Sequence, residues 1–138
     1  MPLVRIDAPA ALPTERLRAK ADMVHAALVT HMNVPEAERF QIIWRHGVQH
    51  WLIDPRYPSV ERTAEALIVS VALRAGRTKA RKMAFYRAVM AQAAKLGGIK
   101  PDDILITLSG NPPLDRSFGW RESLYAPAAA GPVRIAPA

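Results

Sequence analysis

The 138 residues contain no cysteine, so a disulfide framework and any thiolate metal site are excluded, while the redox compartment stays undetermined. No apolar run approaches the length of a membrane span. Residues 1–30 hold Arg5, Asp7, Glu15, Arg16, Arg18, Lys20 and Asp22, which leaves no room for the apolar core of a signal peptide. A soluble, cytoplasmic protein of one domain is therefore expected. Aromatic residues are also few, with three each of phenylalanine, tyrosine and tryptophan for base stacking, and no zinc-finger spacing or RNA-binding sheet pattern occurs. A nucleic-acid partner is not expected.

Acidic residues are missing altogether from residues 66–101, where Arg74, Arg77, Lys79, Arg81, Lys82, Arg87, Lys95 and Lys100 gather. Much of the formal charge of +7 is concentrated there. Such a field suits a small carboxylate, an acidic surface or nucleic acid, and it also suits a merely solvated helix face.

What is present alternates between strand and helix patterns. Residues 3–7 alternate as a half-buried strand. Thr14, after Pro13, reads as a helix cap, and Leu17, Ala21, Val24 and Leu28 recur at helical spacing to about Met32, where Asn33-Val34-Pro35 ends the run. Residues 40–44 read as a second strand, 51–53 as a short one, and 54–63 as a connecting loop. Residues 67–73 form the strongest strand, apolar enough to be buried on both faces. A second helix starts at Thr78, carries Phe85, Val89, Ala93 and Leu96 along one side, and is capped by Gly97-Gly98. Residues 104–108 are the fourth strand.

The two halves echo each other. Thr14 and Thr78 open the helices, and Pro35 and Pro101, each followed by acids, precede the closing strands. This duplication of a β-α-β unit, over about residues 2–53 and 66–110, predicts an α/β (α+β) fold with parallel strands inside each unit. A pseudo-twofold axis between the units would run their first strands antiparallel and bring Arg74 and Arg77 towards Pro2. Residues 1–125 read as a single domain, and the alanine- and proline-rich residues 126–138 as a tail, which could serve as an arm laid on a neighbouring subunit.

Pro2 stands directly before the first strand, so removal of Met1 would leave a secondary amine at the strand's mouth. An α-amino group titrates at about 7.7–8.0, against about 10.4 for lysine, which makes this amine a candidate catalytic base. Taken alone, Pro2 also reads as an ordinary second residue that affects only amino-terminal processing. Arg74 and Arg77 flank Gly76, and their forked guanidinium groups match a carboxylate and could polarise its carbonyl neighbour. Their positive field would also disfavour the protonated amine. The alternative is a pair of surface arginines at a helix start, where positive charge opposes the helix dipole. The corresponding turn at residues 8–13 has no arginine, so one site per chain is expected.

The ordered set Met1-Pro2-Leu3-Val4-Arg5-Ile6-Asp7, Val34-Pro35-Glu36-Ala37-Glu38-Arg39-Phe40-Gln41, Arg74-Ala75-Gly76-Arg77-Thr78 and Ser117-Phe118-Gly119 resembles the tautomerase superfamily. The branch it is most similar to is that of malonate semialdehyde decarboxylase, over about residues 2–125. The resemblance implies tandem β-α-β units forming a four-stranded sheet with two helices packed on one face, assembled as a homotrimer. It implies that Pro2 is catalytic, that Arg74 and Arg77 bind and polarise the substrate, that Glu38 assists, and that Phe118 and Tyr125 help to form an apolar wall. Three positions depart from the decarboxylase pattern. Glu38 replaces an aspartate, Gly76 widens the arginine spacing towards that of cis-3-chloroacrylic acid dehalogenase, and Arg116 replaces a tryptophan.

Other candidates carry less. His46 and His50 have a metal-like spacing but no adjacent acid or cysteine in sequence, so no metal is expected. His25 on the first helix is a second-line candidate, favoured as a packed or partly exposed histidine. Trp44 and Trp51 read as core or interface area, and Trp120 as the best pocket tryptophan because it follows Phe118-Gly119. The expected activity is cofactor-free decarboxylation of a malonate semialdehyde-type 3-oxo acid, keto-enol tautomerisation, or both. The alternatives are a hydratase or dehalogenase of 3-substituted acrylates, with Glu38 or less favourably Glu122 activating water, and a non-catalytic trimeric binding protein. All of the catalytic readings need a free amine on Pro2. Intact-mass measurement of the purified protein should find a chain lighter by one methionine; a chain that keeps Met1 ends the catalytic reading.

Overall fold

A computed structural model describes residues 1–96 and 99–119. The elements run β1 (Leu3–Pro9), α1 (Thr14–Met32), β2 (Gln41–His46), β3 (Leu67–Arg74), α2 (Lys79–Lys95) and β4 (Ile104–Asn111), with short 3-10 turns at Val48–His50, Pro101–Asp103 and Pro113–Asp115. The strands form one sheet in the order β2-β1-β3-β4. β1 is parallel to β2, β3 is parallel to β4, and the two units join through the antiparallel pair β1–β3. The duplicated β-α-β pattern of the sequence is therefore the architecture of the fold.

Alternation decides which side each strand buries. Val4, Ile6 and Ala8 of β1 face inward with Leu67, Val69, Val71 and Leu73 of β3, because Val4 pairs with Val71 and Ile6 with Val69. Onto this face pack Leu17, Val24, Leu28 and Met32 of α1 and Phe85, Val89 and Ala93 of α2, so both helices lie on one side of the sheet. The reverse face holds Leu3, Arg5 and Asp7 with their register partners Ile42, Trp44, Ile68, Ser70 and Ala72. Leu3, Ile42 and Trp44 are exposed there.

That uncovered face corrects the expectation for β3. Its second set of side chains is half-buried rather than buried, because among the described residues no element lies over it. Residues 51–53 form no strand; Trp51 instead stacks on His46 at 5.4 Å between ring centroids, a contact that takes the segment away from the ladder. The two helix starts also differ. The Thr78 side chain accepts from the Arg81 amide and caps α2, whereas α1 begins at Thr14 itself after an extended Pro13, and the Thr14 hydroxyl accepts from Arg45 Nη2 at 3.2 Å. Gly97 and Gly98 lie outside the described residues, and α2 ends at Lys95 with Leu96 as its C-cap.

Phe85 has no exposed surface and sits in the core where α2 meets the sheet. Phe85→Ala should destabilise the fold by about 3–5 kcal/mol, read as a lower midpoint in urea unfolding with little change in slope.

Candidate functional site

One end of the sheet gathers segments far apart in sequence. β1 begins there, and β3 and β4 finish there. Leu3 pairs with Ala72, so carrying the antiparallel ladder onward brings Pro2 towards Leu73 and Met1 towards Arg74. Pro2 is buried on the same side as Val4 and Ile6. The Val4 amide donates to the Phe40 carbonyl at 2.9 Å, holding the start of β1 against the segment that carries Glu38. That segment turns sharply: Asn33 takes a left-handed conformation (φ 53°, ψ 46°) to end α1, and the Glu38 amide donates to the Pro35 carbonyl at 2.9 Å. His25 Nε2 on α1 donates to the Glu36 carbonyl at 2.9 Å, a positioning contact for the turn.

The amino terminus lies among these groups. The Met1 ammonium is 3.0 Å from Glu38 Oε2. The Met1 carbonyl accepts from Arg116 Nη1. Met1 thus spans the gap between a carboxylate and a guanidinium, with its side chain only 16% exposed. Arg116 also donates from Nη2 to Asn111 Oδ1 at 3.3 Å, and Asn111 is the register partner of Arg74.

Arg74 ends β3 and is exposed, and Gly76, at φ 100°, supplies a backbone conformation that side-chain-bearing residues rarely adopt. The turn it makes folds Arg77 back. Arg77 Nη1 donates to the Arg74 carbonyl at 3.0 Å, while Nε and Nη2 donate to the Met32 carbonyl at 3.4 and 3.2 Å. A guanidinium at the C-terminus of α1 is electrostatically favourable. The structure therefore brings Pro2, Glu38, Arg74 and Arg77 to one end, with Arg116 and Asn111 added. Phe118 is half-buried after Arg116. Trp120, Glu122, Tyr125 and the tail at residues 126–138 lie outside the described residues.

Two alignments decide the family. A family pattern described as tautomerase enzyme matches residues 38–119, and a second with the same description matches residues 2–61. The chain belongs to the tautomerase superfamily. Probable tautomerase YusQ of Bacillus subtilis (strain 168) is 32% identical over 119 residues, covering 86% of this chain and 94% of its own. Among solved structures, FG41 malonate semialdehyde decarboxylase inhibited by 3-bromopropiolate is 33% identical with a TM-score of 0.77, over 85% of this chain and 88% of that one. A second malonate semialdehyde decarboxylase, whose structures address decarboxylase and hydratase activities, is 25% identical with the same TM-score, over 85% and 90%. This tautomerase superfamily enzyme thus sits in the branch that resembles malonate semialdehyde decarboxylase.

The opposite end of the sheet carries a second polar cluster. Arg5 grips the Asp7 carboxylate through Nε at 2.9 Å and Nη2 at 2.8 Å, and His46 Nε2 lies 2.6 Å from Asp7 Oδ1. The His46 ring is stacked between Trp44 and Trp51, and the Arg5 guanidinium lies 4.8 Å from the Trp44 ring. Asp7 is the acid that His46 lacks in sequence; only the β1–β2 register, with Pro9 opposite His46, reveals it. His50 is exposed, and among the described residues no three potential ligands cluster as a metal site. A cavity of about 570 Å³ adjoins His46 and Trp51, and its lining is mainly apolar.

The Arg5 guanidinium, with a smaller contribution from His46, holds the Asp7 carboxyl below its ordinary value of 3.8, against the opposing effect of burial. Since the folded-state value lies below the unfolded one, ionised Asp7 stabilises the fold above about 3.8, and that contribution fades as pH falls through the folded value. Asp7→Asn should lower stability by about 1–2 kcal/mol at neutral pH and flatten the loss of melting temperature between about pH 5 and 2, as thermal melts across that range would show.

Proposed function

We propose that the chain is an amino-terminal-proline enzyme acting on a small oxo acid, decarboxylating a malonate semialdehyde-type 3-oxo acid, catalysing keto-enol tautomerisation, or both. One observation carries the reading. The backbone of Pro2 lies at a sheet end shared with Glu38, Arg74 and Arg77, and the residue that would be excised, Met1, bridges the Glu38 carboxylate and the Arg116 guanidinium. Excision would leave the proline nitrogen facing the space between them.

In this reading Arg74 and Arg77 hold the substrate carboxylate, and Pro2 manages a proton beside the carbonyl. For tautomerisation, a neutral amine takes the proton from carbon and returns it to oxygen. For decarboxylation, a protonated amine polarises the carbonyl while the arginines orient the departing carboxylate. The Glu38 carboxylate, already 3.0 Å from the terminal ammonium, is the group that would hold that proton in place. The same carboxylate supports a second reading, in which it activates water for hydration of a 3-substituted acrylate.

The exposed Leu3, Ile42 and Trp44 lie on the sheet face that no element among the described residues covers, and we propose that they form part of the contact of a homotrimer. No cofactor has a part in the proposed chemistry.

Malonate semialdehyde, the enol of phenylpyruvate and cis-3-chloroacrylate separate these readings when each is incubated with the mature protein. Turnover of the first or second is expected, and Pro2→Ala, Arg74→Ala and Arg77→Ala should each lower it by about 10²–10⁴-fold. Equal rates for wild type and Pro2→Ala on all three substrates would sink the proposal.

A further inference from the structure

We infer that Arg116 is a catalytic residue that receives the reacting carbonyl oxygen of the substrate beside the Pro2 amine, leaving the carboxylate to Arg74 and Arg77. The inference rests on the proposed use of Pro2 and adds to it a group for the developing negative charge.

The position of Arg116 is set by the end of β4. After Asn111, Pro112 and the 3-10 turn Pro113–Asp115 reverse the chain, with the Asp115 amide donating to the Pro112 carbonyl at 3.1 Å. The reversal carries Arg116 back onto the strand it has just left. Nη2 donates to Asn111 Oδ1 at 3.3 Å, and the Asn111 carbonyl accepts from the Ala75 amide at 2.9 Å, so Arg116 is anchored to the strand ends that also carry Arg74.

Nη1 then donates to the Met1 carbonyl oxygen. That oxygen is two covalent bonds from the Pro2 nitrogen, a C–N bond of about 1.33 Å and a C=O bond of about 1.23 Å. The guanidinium already holds a planar carbonyl oxygen directly beside the nitrogen that excision of Met1 would free. Excision removes this carbonyl and leaves Arg116 and the amine facing the same small volume. A substrate carbonyl brought against the amine puts its own oxygen there.

The charge balance of either reaction fits a cation at that point. In tautomerisation, a C–H bond next to the carbonyl breaks, its proton goes to the Pro2 nitrogen, and the electron pair forms a C=C bond while the carbonyl π pair moves onto oxygen. The prolinium then returns its proton to that oxygen. In decarboxylation, the C–C bond to the carboxylate breaks, carbon dioxide leaves, and its electron pair follows the same path to the same oxygen; the carbon is afterwards protonated by the prolinium. The enolate oxygen is common to both, and a preorganised donor at such an oxygen acts on the transition state more than on the bound substrate.

Arg77 donates to the Met32 and Arg74 carbonyls, whereas Arg116 donates to the carbonyl that adjoins the Pro2 nitrogen. A tryptophan at position 116, as in the decarboxylase pattern, could donate only a single indole N–H.

Steady-state kinetics on phenylpyruvate enol and malonate semialdehyde, for mature wild type, Arg116→Gln, Arg116→Lys and Pro2→Ala, with a thermal melt of each, test the assignment. On whichever substrate wild type turns over, Arg116→Gln should lower kcat by about 10²–10³-fold while KM moves by less than about fivefold, and Arg116→Lys should recover at least about tenfold of the loss. Melting temperatures should stay at the wild-type value. A wild-type kcat in Arg116→Gln would overturn the assignment, as would a rise in KM alone, which would put Arg116 on the carboxylate. Loss of kcat with a lowered melting temperature and no recovery in Arg116→Lys would make the residue structural. If Pro2→Ala is inactive while Arg116→Gln is unimpaired, only this inference falls; if Pro2→Ala is fully active, the reading of the whole site falls with it.

Discussion

The antiparallel ladder between β1 and β3 joins two β-α-β units whose own strands are parallel, and the geometry of the Pro2 end follows from it. With Leu3 opposite Ala72, the start of the first unit meets the end of the third strand. Slipping the ladder by one residue would exchange Val4, Ile6 and Ala8 with Leu3, Arg5 and Asp7 on the helix-covered face, which would bury an arginine and an aspartate. Register is thus enforced by hydrophobic burial. The same burial delivers Pro2 to the neighbourhood of Arg74 and Glu38.

The two ends of the sheet use charge differently. At the Pro2 end, the Glu38 carboxylate and the Arg116 guanidinium meet at Met1, with Arg74 and Arg77 following β3. Near the start of β3 and β4, the charges are locked into the fold. Lys20 of α1 is fully buried, its ammonium donating to the Glu65 carbonyl at 3.2 Å, and burial lowers its pKa although the Glu65 carboxylate 3.9 Å away opposes that shift. Asp103, also buried, accepts from both the amide and the hydroxyl of Thr63 at 2.6 Å. These contacts tie the loop before β3 to α1 and to the start of β4. They tie down the end where β3 and β4 begin and leave the exposed Arg74 at the other.

Much of this was legible in the chain because it is periodic. Alternation at residues 3–7 and the apolar run at 67–73 marked the two central strands, helical spacing from Leu17 to Leu28 and from Phe85 to Ala93 marked the helices, and their repetition marked the duplication. The exceptions arise from contacts that exist only in the folded chain. The apolar stretch at residues 51–53 resembles a strand until Trp51 finds His46, and Thr14 resembles a cap until Arg45 claims its hydroxyl. Both outcomes depend on partners that are not neighbours in sequence.

By itself, then, the sequence determined the repeated β-α-β units, the cation-rich turn at Arg74 and Arg77, and the placing of a proline directly behind Met1, since each is written in residues close together along the chain. Only the tertiary structure decided that Asp7 partners His46, that Arg77 spends donors on the end of α1, and that Arg116 reaches the Met1 carbonyl across 115 positions of sequence. The reason is physical. Such contacts are fixed by strand register and by the chain reversal after β4, and those take their final form only when the two units bury a common core.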